Sequence, residues 1–230
     1  MTESDFKKSI NLTYSLYDML GRSRAFLVPY SLSPNSKFNA IALDAESAYE
    51  DIYFCGLREN QLNFILNDMT FFQFSRDSEK ETRYAFYPSP FSQKSISLME
   101  NYVSDRDAGY IDDEEFSQAL ESLPRNSRRP ALRYEYSDSQ YKKVKHPLSH
   151  LHIGIYGEDR WSFERFLTPY AFGLQVAKMY FGSDWECLTD GEHGNRNNEL
   201  DDILISEKAK CAMAPVDKYC EVEKKHFSFR

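Results

Sequence analysis

No stretch of this sequence approaches the ~20 consecutive apolar residues that a membrane-spanning helix needs, so no membrane partner is expected. The N-terminal stretch MTESDFKKSINLTYSLYDML carries acids and no continuous apolar core, which speaks against a secretory signal. Glycine and proline are sparse, nine of each, which argues against repeats and long disordered linkers. Positive charge is in deficit: 28 Lys and Arg stand against 36 Asp and Glu, a net charge of -8. A global basic footprint for nucleic acid is therefore absent, although a local groove needs only a few well-placed Arg and Lys. Cysteine is scarce too. Cys55, Cys187, Cys211 and Cys220 form no C-x-x-C pair, so they read as reduced thiols in a cytoplasmic protein.

What is present is core material. The hydrophobic fraction is 41% and the aromatic fraction 15%, with 16 Tyr and 17 Phe. Residues 1–230 read as a single α+β domain whose last part, 183–230, is a polar C-terminal extension. The expected architecture is a mostly antiparallel sheet with an N-terminal helix over 4–20 and a buried helix at about 168–182 packed on the sheet. Phe6, Ile10, Tyr14 and Tyr17 give the first helix its spacing, with Ser4 as cap and Gly21 at its close. Thr168-Pro169 caps the buried one. Strands are expected at 25–32 and 38–45. A meander follows over 51–88, in which DIYFCGL is strand-like and 67–69 form a tight turn. Residues 91–111 read as irregular or partly helical, 112–123 as a helix, 131–136 and 150–156 as strands, and about 198–213 as a helix.

Histidine occurs only five times, yet His146, His150 and His152 fall within seven positions. Residues two apart on a strand share a face, so His150 and His152 project together while Leu151, Ile153 and Ile155 fill the other side. In the preceding strand Arg133 and Glu135 share one face, and Leu132, Tyr134 and Tyr136 the other. The long loop between the two strands leaves their register open, so the histidines meet either the Arg/Glu face or the Tyr face. Three readings compete. His146, His150 and His152 offer ligands to a metal such as Zn, although no carboxylate or Cys stands at matching spacing. His150 and His152 alternatively act as base and acid in cofactor-free RNA cleavage, with Arg133 holding the phosphate and Glu135 orienting a histidine or Arg133. Or they serve structure alone.

Two basic loops bracket the 131–136 strand. Arg125, Arg128 and Arg129 lie in one; Lys142, Lys143 and Lys145 lie in the other. Arg128, Arg129 and the three lysines are candidates for tracking a nucleic-acid backbone, against the plainer view that they are solvated charge. DRDAGYIDDEEF (105–116) resembles a calcium loop through Asp105, Asp107, Gly109, Ile111 and Glu115. It is one residue short and lacks a third acidic ligand, so an acidic turn capping a helix accounts for it better. Cys187 and His193 form no oriented pair.

The stretches LRYEY (132–136), HPLSHLHIG (146–154) and RFLTPYAFG (165–173) resemble a bacterial domain family of unknown function. The motif residues here are Arg133, Tyr134, Glu135 and Tyr136; His146, Pro147, Ser149, His150 and Gly154; and Leu167, Thr168, Pro169 and Phe172. An upstream RYAFYPSP (83–90) fits the same pattern, so the likeness covers much of residues 50–182. The chain departs from it where the family has a Cys-Arg pair after the histidine strand. Asp159-Arg160 stands there, which puts a thiol role in doubt and keeps Arg160 as a candidate. The resemblance implies an accessory protein of mobile elements and phage-defence islands. Over about 25 residues the RYEY…HPxxHxH order is also similar to a small RNase-type toxin that pairs with a nucleotidyltransferase antitoxin. The expectation is an anti-phage defence or toxin-like protein that cleaves RNA, with a protein partner encoded nearby. The alternative is a non-catalytic sensor or partner-binding subunit.

Overall fold

The computed structural model describes residues 1–125, 129–155, 160–189 and 199–226. Its centre is one seven-stranded sheet in which each strand pairs antiparallel with the next in sequence. The strands are β1 (Ser23–Phe26), β2 (Phe64–Leu66), β3 (Phe71–Ser78), β4 (Glu81–Tyr87), β5 (Leu132–Ser137), β6 (Ser149–Ile153) and β7 (Trp161–Ser162). The helices are α1 (Glu3–Met19), α2 (Ser36–Ala42), α3 (Tyr49–Arg58), α4 (Gln93–Asp107), α5 (Asp113–Ser122), α6 (Pro169–Tyr180), α7 (Gly182–Thr189), α8 (Glu199–Lys210) and α9 (Glu221–His226). The fold is α+β, as the sequence implies.

Strand alternation sorts the core into two. On the first face Phe64, Phe72, Phe74, Tyr84, Phe86, Leu132 and Tyr134 pack against α1 and α6, with Trp185 of α7 and Leu200 and Leu204 of α8 at the margin. Helices α7 and α8 are thus tied to the core through these few apolar residues. On the second face Ile65, Phe71, Ala85 and Tyr87 pack against Phe38 of α2, Tyr53 of α3, Met99 of α4 and Phe116 of α5. Helix α6 lies so close to α1 that a Cβ on Gly173 would sit 2.3 Å from the Thr13 methyl carbon.

Local signals explain the ends. Thr168 caps α6 by accepting from the Ala171 N–H at 3.0 Å, with Pro169 in the first turn. Gly21 takes a φ of +68° after α1. Its N-cap is Thr2, in a capping box with Asp5, and not Ser4. Helix α6 stops at Tyr180, and Gly182 begins α7 instead of closing α6. Residues 67–69 form the turn between β2 and β3, where Met69 adopts a φ of +67°.

Two stretches differ in kind from their sequence reading. Residues 38–45 and DIYFCGL (51–57) are not strands: Ser36–Ala42 is helix α2 and Tyr49–Arg58 is helix α3. A short apolar run does not distinguish a buried helix from a strand. In α3, Tyr49, Ile52, Tyr53 and Leu57 recur at helical spacing, but DIYFCGL taken alone omits Tyr49 and is too short to show it. A Cβ on Gly56 would meet the Phe71 ring at 2.7 Å, so glycine lets this helix rest directly on the sheet. The first strand is also shorter than 25–32, and 93–107 is fully helical.

Candidate functional site

The antiparallel register across β4, β5 and β6 assembles one polar row on the second sheet face. Arg83 stands opposite Glu135, which stands opposite His150; Ala85 stands opposite Arg133, which stands opposite His152. The histidines therefore meet the Arg/Glu face of β5. Helices α2 to α5 cover the β2–β4 side of this face, so the polar row begins where the apolar layer ends.

Both imidazoles are inside the protein, His150 at 0% and His152 at 2% exposure. The bonds at His150 fix its tautomer. Its Nδ1–H donates to the Pro147 carbonyl at 2.9 Å, leaving a lone pair on Nε2. That lone pair accepts the Nε2–H of His152 at 3.1 Å. The Nδ1 of His152 is then a bare lone pair, buried with no hydrogen-bond partner among the described residues. Glu135 closes the triangle. Its Oε2 lies 3.9 Å from His150 Nε2 and its Oε1 3.9 Å from His152 Nε2. Arg133 Nε sits 2.9 Å from Glu135 Oε1, but its N–H does not point along that line, so the contact is an ion pair without an aligned hydrogen bond.

Burial is the main cause of the imidazoles' electrostatics. It lowers His150 to about 4, partly opposed by the Glu135 carboxylate. It lowers His152 to about 3, helped by the Arg133 guanidinium. His146 is lowered for the same reason, with Arg160 adding to the effect. Both members of the pair are therefore neutral at pH 7.

Glu135 and Arg133 also line a cleft of about 100 Å³ that opens between the sheet and α2, with Gln73, Ser75, Arg83, Phe38 and Asn39 as further walls. Among the described residues, Glu135, His150 and His152 are the His/Cys/Asp/Glu group that converges, their donor atoms all within 4.8 Å of one another. His146 is outside that set. Its ring stands edge-on to His150, centroids 4.8 Å apart. The missing matching carboxylate is thus supplied by the neighbouring strand.

The basic candidates do not form one rim. Lys142, Lys143 and Lys145 are exposed on the loop after β5, where the Lys142 N–H donates to the His146 carbonyl at 3.0 Å. Arg129 precedes the other end of β5, about 20 Å away at strand rise, with its guanidinium 5.9 Å from the Phe181 ring. Arg128, Asp159 and His193 lie outside the described residues. In the calcium-like stretch, Asp112 and Glu115 are engaged in the capping box of α5, the plainer of the two readings. Arg83 joins this polar row from β4, although no sequence spacing ties it to Glu135. It stands in the RYAFYPSP motif, and only the β4–β5 register shows that it faces Glu135.

A family model described as "Uncharacterized conserved protein (DUF2290)" matches residues 23–214. The chain belongs to the DUF2290 family. The DUF2290 match takes in the whole sheet, α2 to α8 and the polar row, and leaves out α1 and the segment after 214. Comparison with curated proteins and with solved structures returns no match. No described helix is long and apolar enough to cross a membrane.

Proposed function

We propose that this chain is a cytoplasmic bacterial defence or toxin-like enzyme that cleaves RNA at the cluster of Glu135, His150, His152 and Arg133. The observation that supports this reading is the convergence of two neutral imidazoles, a carboxylate and a guanidinium beside an open cleft. Buried polar groups normally have hydrogen-bond partners; among the described residues His152 Nδ1 has none, and Arg133 Nε has an ion pair without an aligned hydrogen bond. Phosphodiester cleavage needs a lone pair to handle the proton of the attacking oxygen and a cation for the charge that develops on phosphorus oxygens. The neutral imidazoles suit the first task, by taking the proton or by holding a cation that acidifies the oxygen. Arg133 suits the second. Lys142, Lys143 and Lys145, which lead directly into His146, are placed to steer a backbone.

The test is cleavage of labelled RNA by purified wild type, H150A and H152A, with folding followed by circular dichroism. Each folded variant is expected to lose activity by about 10²–10⁴-fold. Equal cleavage by wild type and variants overturns the reading, as does a wild type that cleaves neither single- nor double-stranded RNA. A second reading, a partner-binding subunit of a defence complex, draws on a different place. An apolar groove of about 600 Å³ runs beside edge strand β1, walled by Phe54, Leu57, Leu62 and Phe116 with Arg24, Arg58 and Arg106 around it. In that case a defence phenotype survives H150A and is lost in Leu57→Asp.

A further inference from the structure

We infer that Glu135, His150 and His152 form a binding site for one divalent transition-metal ion of the Zn²⁺ or Co²⁺ kind, with a coordination position left open toward the cleft for a phosphate-ester oxygen. The inference deepens the RNA-cleavage reading by naming the Lewis acid, but the site stands on its own geometry.

The donor atoms are already near ligand spacing. Nitrogen ligands 2.0–2.1 Å from a tetrahedral ion are about 3.3 Å apart. The two Nε2 atoms are separated by 3.1 Å. The carboxylate oxygens, at 3.9 Å from the nitrogens, need only a small side-chain rotation to join them. His150 carries the usual outer support of a metal-bound histidine, with Nδ1–H given to a backbone carbonyl and Nε2 aimed inward.

Ion binding changes the proton at His152. Without an ion its Nε2–H is spent on His150, and Nδ1 is a buried lone pair with no partner. An ion at the two Nε2 atoms requires the His152 proton on Nδ1, where no acceptor stands within bonding distance among the described residues. The His152 proton moves from Nε2 to Nδ1, both rings stay neutral, both Nε2 lone pairs become ligands, and no proton leaves the protein.

Glu135 can bridge. Oε1 remains with Arg133 at 2.9 Å while Oε2 turns to the ion. Three protein ligands of N, N and O type leave a fourth position for water or substrate, the pattern of catalytic rather than closed structural sites. Two cations side by side, the ion and Arg133, favour an anion between them. Both Arg133 and Glu135 line the cleft through which such an anion would arrive. His146 is not a ligand, because its ring packs edge-on against His150 outside the converging set.

The experiment is a Co²⁺ titration of chelator-treated full-length protein followed by visible absorption, with Zn²⁺ displacing it. One ion per chain is expected. E135Q and H152A should each weaken binding by at least about 100-fold, beyond the ~10–100-fold typical of losing an outer partner, and H146A should leave it unchanged. No stoichiometric uptake by wild type overturns the proposal, and so does uptake that E135Q and H152A do not alter. If the histidine variants fail to fold, the wild-type Co²⁺ spectrum decides. Intense four- or five-coordinate bands support the site, and the weak spectrum of a six-coordinate hydrated ion overturns it. Tight uptake without RNA cleavage keeps the metal site and removes the nuclease reading. Cleavage that resists chelation, by a protein that takes up no ion, does the reverse.

Discussion

Strands β4, β5 and β6 present two faces built from alternate residues of the same few segments, and the two are made differently. On the first face Tyr84, Tyr134 and Leu151 lie under α6 in the aromatic core. The Tyr84 hydroxyl is buried there without a hydrogen-bond partner among the described residues, but the polar atoms around Tyr134 are used up. The Tyr134 hydroxyl donates to Ser149 Oγ at 2.9 Å and accepts from the Leu167 N–H at 3.0 Å, while Ser149 donates onward to the Arg165 carbonyl. On the second face the alternating positions carry Arg83, Arg133, Glu135, His150 and His152, and bonding is left incomplete at His152 and Arg133. Desolvating such groups costs more than an apolar row would, and a buried ion pair seldom repays that cost in stability. One face holds the fold together. The other departs from the rules for a stable core, as reactive or ligand-binding centres commonly do.

The sharpest way to break this comparison is to cut each face separately. Phe72 on the first face is fully buried between Phe64, Phe86 and Phe172, so Phe72→Ala should cost about 3–5 kcal/mol in denaturant unfolding. A loss near zero would mean that the aromatic layer is not the core.

Acid should sharpen the contrast next, and it acts on the second face. The imidazoles are held near 4 and 3 when folded and titrate near 6.5 when unfolded. Lowered values mean that the unfolded chain takes up protons first. Their contribution is therefore complete above pH 6.5 and lost as the pH falls from there toward 4. In metal-free protein each imidazole adds a slope approaching about 1.4 kcal/mol per pH unit within that window. Unfolding series at pH 7.5, 5.5 and 4.5 should show this slope, and His152→Gln should flatten it. Asp138 and Glu81, whose carboxyls are held below their ordinary values, come into play only at lower pH. A stability unchanged between pH 7.5 and 5 would show that the pair is not held neutral by burial.

The smallest effect expected is at Tyr134. Tyr134→Phe keeps the ring and removes a hydroxyl with two partners, so it should cost about 1 kcal/mol, or somewhat more because the Leu167 N–H loses its acceptor. Metal uptake and cleavage should be unaffected, since the hydroxyl lies on the other face. A Tyr134→Phe variant that lost activity at full stability would show that the two faces are coupled.

The apparent weakness of the metal reading in the sequence, a missing carboxylate, is a matter of distance along the chain. Glu135 and His150 are fifteen positions apart with a loop between them, and spacing rules apply within a helix or a hairpin of known turn. Residues 36–58 failed for another reason. Each apolar run was too short to show its period: the helical recurrence of Tyr49, Ile52, Tyr53 and Leu57 extends beyond DIYFCGL, and α2 buries Phe38 alone. What fixed them as helices was the sheet beneath, where Gly56 lets α3 meet Phe71. Elsewhere the local signals were sufficient: the cap of α6, the glycine after α1, the Asp112–Glu115 box of α5.

The sequence by itself determined that His150 and His152 share one side of a strand, that Arg133 and Glu135 share one side of another, and that an apolar α6 would be buried. These follow from the two-residue period of a strand and the capping chemistry of a helix, both of which act over a few residues. Only the tertiary structure decided that these two polar sides face each other, that the carboxylate of Glu135 comes within 3.9 Å of both Nε2 atoms, and that a cleft reaches Arg133 and Glu135. Pairing register across a long loop is set by which faces find a core to bury against, and that is a property of the whole sheet rather than of either strand.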